Sequence, residues 1–116
     1  MLTLEQFKAA RATLRGVIRT TSLIHSPALS KACGNQVYLK PENMQVTGAY
    51  KIRGAYYKIS TLSEEEKSRG LITASAGNHA QGLAYAAQAA GVPATIVMPT
   101  TTPLVKVNNT KDYGAR

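Results

Sequence analysis

Residues 71–98, LITASAGNHAQGLAYAAQAAGVPATIVM, decide the fold class. Leu71 to Ala74 is a short apolar run. Gly77 to Ala90 is an alanine-rich helical stretch closed by Gly91, and Ala94 to Met98 is a second apolar run closed by Pro99. The apolar runs lack clean polar alternation, as strands buried on both faces do, so the order strand, helix, strand predicts parallel pairing with helices packed on the sheet. A further helix is predicted from Pro103, with proline in its first turn, to about Tyr113, stopping at Gly114. The class is α/β.

Upstream the signals are more mixed. In residues 4–15, LEQFKAARATLR, Leu4, Phe7, Ala10 or Arg11, and Leu14 recur at helical spacing, with Thr3 and Gln6 placed as a capping box and Gly16 as the stop. This predicts an amphipathic helix. Thr20 to Pro27 reads as extended or loop, Val37 to Lys40 as a short strand stopped by Pro41, and a loop follows through Gly48. Tyr50 to Ile59 is helical, with Ile52, Ala55, Tyr56 and Ile59 on one face. Gly54 inside it costs about 1 kcal/mol relative to alanine, which suggests close approach of another backbone or a ligand. Ser63 with Glu64, Glu65 and Glu66 opens a short helix that Gly70 ends. Only two or three strands are visible, fewer than such a sheet needs, so the 116 residues read as part of a longer protein. No internal repeat or low-complexity tract points elsewhere.

Composition narrows the function classes. An apolar fraction of 44% with 17% charged residues is that of a folded domain rather than a disordered one. No run approaches the roughly 20 apolar residues of a membrane span, and MLTLEQFKAAR has no apolar secretory core, so a soluble, cytoplasmic protein is expected, with no membrane partner. Cys33 is the single cysteine and has no intrachain partner. The net charge of +8 permits a nucleic-acid partner, but the basic residues are scattered singly from Lys8 to Arg116, without the clustering that phosphate binding requires; none is expected.

In an open parallel sheet, ligands bind beyond the carboxyl ends of the strands. The turn there is Ser75-Ala76-Gly77-Asn78-His79, which opens directly into a helix whose first N–H groups are unpaired within it and carry the positive end of the dipole. That suits a carboxylate or phosphate, although serine, glycine and asparagine are also ordinary capping residues for such turns. Lys51 is flanked by small residues and an aromatic ring in Thr47-Gly48-Ala49-Tyr50-Lys51-Ile52-Arg53-Gly54-Ala55. Partial burial would make its neutral amine available to an aldehyde; the plainer alternative is an exposed lysine at a helix start. Dinucleotide, phosphate-loop and zinc-protease motifs are all missing, and His25 and His79 lack metal-ligand spacing, so no metal is expected.

Three segments together carry a resemblance: Lys40-Pro41-Glu42-Asn43-Met44-Gln45, Thr47 to Ala55, and Ser75-Ala76-Gly77-Asn78-His79-Ala80-Gln81-Gly82, with similarity continuing through Val97-Met98-Pro99 and Lys106 to Asp112-Tyr113-Gly114-Ala115. In order and spacing they resemble the threonine ammonia-lyases (threonine dehydratases) of the tryptophan-synthase-β-like, fold-type-II pyridoxal-phosphate enzymes. The resemblance implies an open parallel-sheet, three-layer α/β fold and pyridoxal 5'-phosphate as cofactor. It implies Lys51 as the catalytic, cofactor-bearing lysine, and Tyr50 beside the ring where the family usually has phenylalanine. Asn78 would hydrogen-bond the ring oxygen. Ser75, Ala76, Gly77, Asn78 and His79 correspond to the loop that holds the substrate carboxylate.

The implied reaction converts L-threonine, and L-serine, to a 2-oxo acid and ammonia, in threonine catabolism or isoleucine biosynthesis. Serine racemases resemble the same pattern but carry a second serine where this chain has Ala76, which ranks dehydration above racemisation. The family's glycine-rich phosphate loop and its later serine or cysteine at the pyridine nitrogen are not among these residues. By the family's layout, residues 1–40 would belong to a large domain and 41–116 would begin the small one, with activity requiring further sequence and the full-length enzyme forming a homo-oligomer. A different class of reading is a non-catalytic remnant that keeps an anion-binding turn or serves as an interaction module.

Overall fold

A computed structural model describes the whole chain, Met1–Arg116. At its centre β3 (Leu71–Ala74) and β4 (Ala94–Val97) pair in parallel, with Leu71 opposite Ala94 and Ala74 opposite Val97. Helix α5 (Asn78–Ala90) makes the crossover and ends on Gly91, whose φ of 68° supplies the left-handed cap that reverses the chain toward β4. Helix α6 (Leu104–Asp112) follows, and the chain then returns to the sheet. Arg116 donates its N–H to Ala94 and accepts from the N–H of Ile96, so it sits against the edge of β4 that faces away from β3. The βαβα order predicted from residues 71–114 is observed within one or two residues at each boundary.

Helix α3 (Lys51–Ser60) packs across α5. Its buried stripe, Ile52, Ala55 and Ile59, meets Ala84 and Ala87 of α5, and Val92, Ala94 and Ala115 complete the core. Ile52 and Ile59 are the largest fully buried side chains, each worth about 1.5–3 kcal/mol of hydrophobic stabilisation. Small residues on α5 let the helices meet closely. A Cβ on Gly82 would lie 3.3 Å from the Ile52 nitrogen, whereas one on Gly54 would meet nothing within 4 Å. The close approach that the sequence suggested for Gly54 therefore belongs to Gly82; Gly54 sits on the open side of α3. Helix α4 (Glu64–Ser68) starts on the expected N-cap Ser63, which also forms a capping box with Glu66, and precedes Gly70, at φ 75°.

The N-terminal part departs further from expectation. Helix α1 (Leu4–Thr13) starts on the predicted Thr3–Gln6 capping box, but it ends at Leu14 rather than at Gly16. Its apolar stripe is not covered: Leu4 and Phe7 are 67% and 60% exposed, and only Leu14, in the cap position, is buried. β1 (Ile24–His25) pairs antiparallel with β2 (Tyr38–Leu39), so the two short sheets differ in sense, and parallel pairing holds only for β3 and β4. Between them lies α2 (Pro27–Cys33), absent from the sequence reading although its signals are ordinary ones: Ser26 as N-cap, proline at the first position and Gly34 in a left-handed C-cap. No helix is long and apolar enough to cross a membrane.

Candidate active site

Lys51 is the first residue of α3, and Tyr50 is its N-cap residue. No side chain caps this helix, so its first turn is held by other means. Ile52 is fully buried beneath it, and Gly82 brings the α5 backbone against Ile52 and Lys51. Arg53 is fixed on another side. Its Nε and Nη2 donate to the two carboxylate oxygens of Glu42, both at 2.8 Å, and Nη2 also reaches the Thr21 hydroxyl at 3.2 Å. Thr21 in turn donates to Glu42 at 2.6 Å, and Lys40 donates to the Thr21 carbonyl. The Arg53 hydrogen bonds, helped by the Thr21 hydroxyl and the charges of Arg53 and Lys40, hold the Glu42 carboxyl down at a pKa of about 2 against partial burial that would raise it. The same pairing raises the Arg53 guanidinium.

A second latch lies close by in the same segment. The buried amide of Gln45 accepts the Arg19 N–H and donates to the Arg19 carbonyl, each at 2.8 Å, and also accepts the Val46 N–H. Neither latch was read from the sequence. Glu42, Gln45 and Arg53 stood in the quoted motifs without a role, because burial of a polar side chain leaves no periodic signal.

A cleft of about 570 Å³ runs between α3 and α5, and Tyr50, Lys51, Lys58, His79 and Leu83 are among its lining residues. Lys51 is exposed there, the plainer of the two alternatives the sequence left open; α3 turns Ile52, Ala55 and Ile59 inward, and Lys51 lies off that stripe. Tyr50 is 63% exposed. Lys51, Tyr50 and His79 thus share one cleft. Asn78 is exposed at the start of α5, outside the cleft lining, and neither its side chain nor the His79 ring makes a hydrogen bond.

The Ser75–Gly77 turn connects β3 to α5. Ser75, Ala76 and Gly77 are half-buried, and the Gly77 N–H donates to the Ser75 hydroxyl at 3.3 Å. Gly77 is extended at φ −124°, and a Cβ there would meet nothing within 4 Å. Whereas α1, α2 and α4 start on capping hydroxyls from Thr3, Ser26 and Ser63, α5 has no side-chain cap. The backbone N–H groups of Asn78, His79 and Ala80 have no acceptor within the protein. This arrangement favours an anion at the α5 start. An amine, an aromatic ring and free N–H donors therefore stand at the adjoining ends of α3 and α5.

A family model described as pyridoxal-phosphate dependent enzyme matches residues 14–116. The whole chain is similar to the L-threonine ammonia-lyase of Thermotoga maritima, 56% identical over 116 residues, and to a catabolic L-threonine dehydratase of Staphylococcus aureus, 52% identical over 118. It spans 29% and 34% of those two proteins, about a third of their length. Among solved structures, the serine racemase of Dictyostelium discoideum superposes with a TM-score of 0.91 at 38% identity, covering 98% of this chain and 38% of that one. Threonine deaminase isoform 2 of Solanum lycopersicum superposes at 0.82 with 40% identity, covering 99% of this chain and 33% of that one.

Proposed function

The chain belongs to the family of pyridoxal-phosphate-dependent enzymes, and from that premise we propose that the protein it forms part of is a threonine ammonia-lyase. It releases ammonia from L-threonine, and from L-serine, leaving a 2-oxo acid. The carrying observation is the 56% identity over every residue of the chain to a protein of that activity. The side chains present suit the cofactor: a primary amine that meets solvent in a cleft, a neighbouring aromatic ring, and helix N–H groups with no internal acceptor.

Lys51 would hold the cofactor, Tyr50 would lie against its ring, and Asn78 would hydrogen-bond the ring oxygen. Bound pyridoxal phosphate supplies an electron-accepting ring conjugated to the substrate's α-carbon. The turn of Ser75, Ala76, Gly77, Asn78 and His79 would hold the substrate carboxylate, with the unpaired backbone N–H groups of Asn78 and His79 as donors. The Lys51 amine, once free, takes the α-proton, and the β-hydroxyl departs as water. Hydrolysis returns that water as ammonia leaves, so threonine gives 2-oxobutanoate and ammonia. Racemisation would need a second proton carrier on the opposite face of the α-carbon; the methyl group of Ala76 has no proton to exchange.

We assign residues 1–40 to a large domain and 41–116 to the start of a small one; the separate β1–β2 and β3–β4 sheets support that division. The full-length enzyme is taken to be a homo-oligomer acting in the cytoplasm. The test is to supply the protein carrying this chain with pyridoxal phosphate and L-threonine and to measure 2-oxobutanoate. Lys51→Ala is expected to lower the rate by about 10²–10⁴-fold or more. A rate untouched by that substitution, or threonine epimerised at its α-carbon as the main product, refutes the reading.

A further inference from the structure

We propose that the Glu42–Arg53–Thr21 clamp is the positioning element for Lys51, fixing the first turn of α3 where a helix cap is missing and so setting the direction in which the amine leaves the helix. The inference rests on the reading of Lys51 as the cofactor-bearing residue.

The argument is one of geometry. Successive residues of a helix point about 100° apart, so Lys51, Ile52 and Arg53 leave the first turn in three different directions. Ile52 is fixed inward by complete burial, and Gly82 prevents the turn from moving closer to α5. Those contacts leave one motion free, fraying of the first turn outward, to which an uncapped helix start followed by Gly54 is prone. Arg53 opposes it. Its planar fork engages both oxygens of Glu42 at 2.8 Å, and Glu42 is itself held by Thr21 at 2.6 Å. With Ile52 and Arg53 both fixed, the direction of Lys51 on the remaining side of the turn follows.

The pairing is also built for direction rather than for charge alone. A bidentate guanidinium–carboxylate contact fixes orientation in a plane, which a lysine at the same place would not. The three partners come from separate segments: the residues before β1, the turn at Glu42–Met44, and α3. The clamp therefore refers the position of Lys51 to a part of the chain outside the α3–α5 pair.

The experiment uses the protein that carries this chain and compares wild type with Arg53→Lys, Glu42→Gln and the milder Thr21→Val. One readout needs no cofactor: amide hydrogen exchange, followed by mass spectrometry, over residues 49–54 of α3 and over residues 83–90 of α5. The other is trapping with pyridoxal phosphate and borohydride, followed by peptide mapping of Lys51 against Lys58, an exposed lysine lining the same cleft. Wild type is expected to label Lys51 over Lys58 by about tenfold or more, since orientation alone carries factors of that size. Arg53→Lys and Glu42→Gln should bring the ratio near one and speed exchange at residues 49–54 by about tenfold, with residues 83–90 unchanged. Should those two fail to fold, Thr21→Val, which removes one leg of the clamp, must lower the ratio by about threefold. A ratio that survives in folded variants, or exchange that rises equally in both peptides, overturns the inference alone. No preference for Lys51 in wild type overturns the reading on which it rests as well.

Discussion

A methyl group on Gly82 would stand 3.3 Å from the Ile52 nitrogen and 3.4 Å from the carbonyl carbon of Lys51, so α5 and the first turn of α3 meet main chain against main chain. The spacing between the amine-bearing end of one helix and the N–H-bearing end of the other is set by this contact.

Alanine at Gly82 and alanine at Gly54 should act in opposite directions. Both gain about 1 kcal/mol of helix propensity. At Gly82 the added methyl must push the α3 backbone away, and overpacking of that kind costs about 1–3 kcal/mol, for a net loss. At Gly54 the space is open, and the gain is kept. Urea unfolding of the two variants is the measurement, and shifts of the same sign would contradict the packing described.

Stability should fall in acid through Glu42. Its folded pKa of about 2 lies below its ordinary value of 4.5, so its contribution is complete above pH 4.5 and is lost as pH drops from there through about 2. A shift of that size corresponds to about 3 kcal/mol at most, and screening by solvent at this half-buried position reduces it to about 1–2 kcal/mol. Glu42→Gln should flatten the acid limb of the stability curve between pH 4.5 and 2, as measured by denaturant titration at a series of pH values.

Lys51→Ala should abolish the visible absorbance that pyridoxal phosphate develops on binding while leaving stability within about 0.5 kcal/mol, because the side chain is exposed and makes no hydrogen bond. Absorbance and thermal unfolding on the same sample separate the two effects.

Gly77→Asp should trade binding for stability. The extended backbone and open space at Gly77 accept a side chain, and an aspartate there would cap α5 and gain a few tenths of a kcal/mol. It would also place a negative charge where the free N–H groups await an anion. The expected outcome is a slightly raised Tm with the KM for L-threonine increased by about tenfold, corresponding to about 1.4 kcal/mol of lost binding.

Where the sequence was legible, a one-dimensional signal matched a local cause. The apolar runs at Leu71 and Ala94, the glycine stops at Gly70, Gly91 and Gly114, and the helix caps at Thr3 and Ser63 are decided by neighbours within a turn or two, and each reappears in the structure. The start of α5 was legible for the same reason. What escaped depends on partners distant in sequence. Arg53 meets Glu42 eleven residues away and Thr21 thirty-two away, and Gln45 meets Arg19 across twenty-six, with no periodicity to announce either. Gly54 and Gly82 show the same limit: sequence marks both as costly in a helix, but only the packing of α3 on α5 says which one another backbone touches. The α2 helix is a different failure, since Ser26, Pro27 and Gly34 carried its boundaries openly.

The Gln45 latch has a chemical lifetime. Its amide serves as a surrogate peptide unit, offering one donor and one acceptor to the two faces of Arg19. Hydrolysis of that amide to a carboxylate, the slow ageing to which glutamine is subject, would turn the donor into an acceptor and set two oxygens against each other in a buried place. Deamidation at this one residue, with no change in the encoded sequence, would loosen the Arg19 end of the segment before β1 and leave the Thr21–Glu42 bond to tie that segment to the turn.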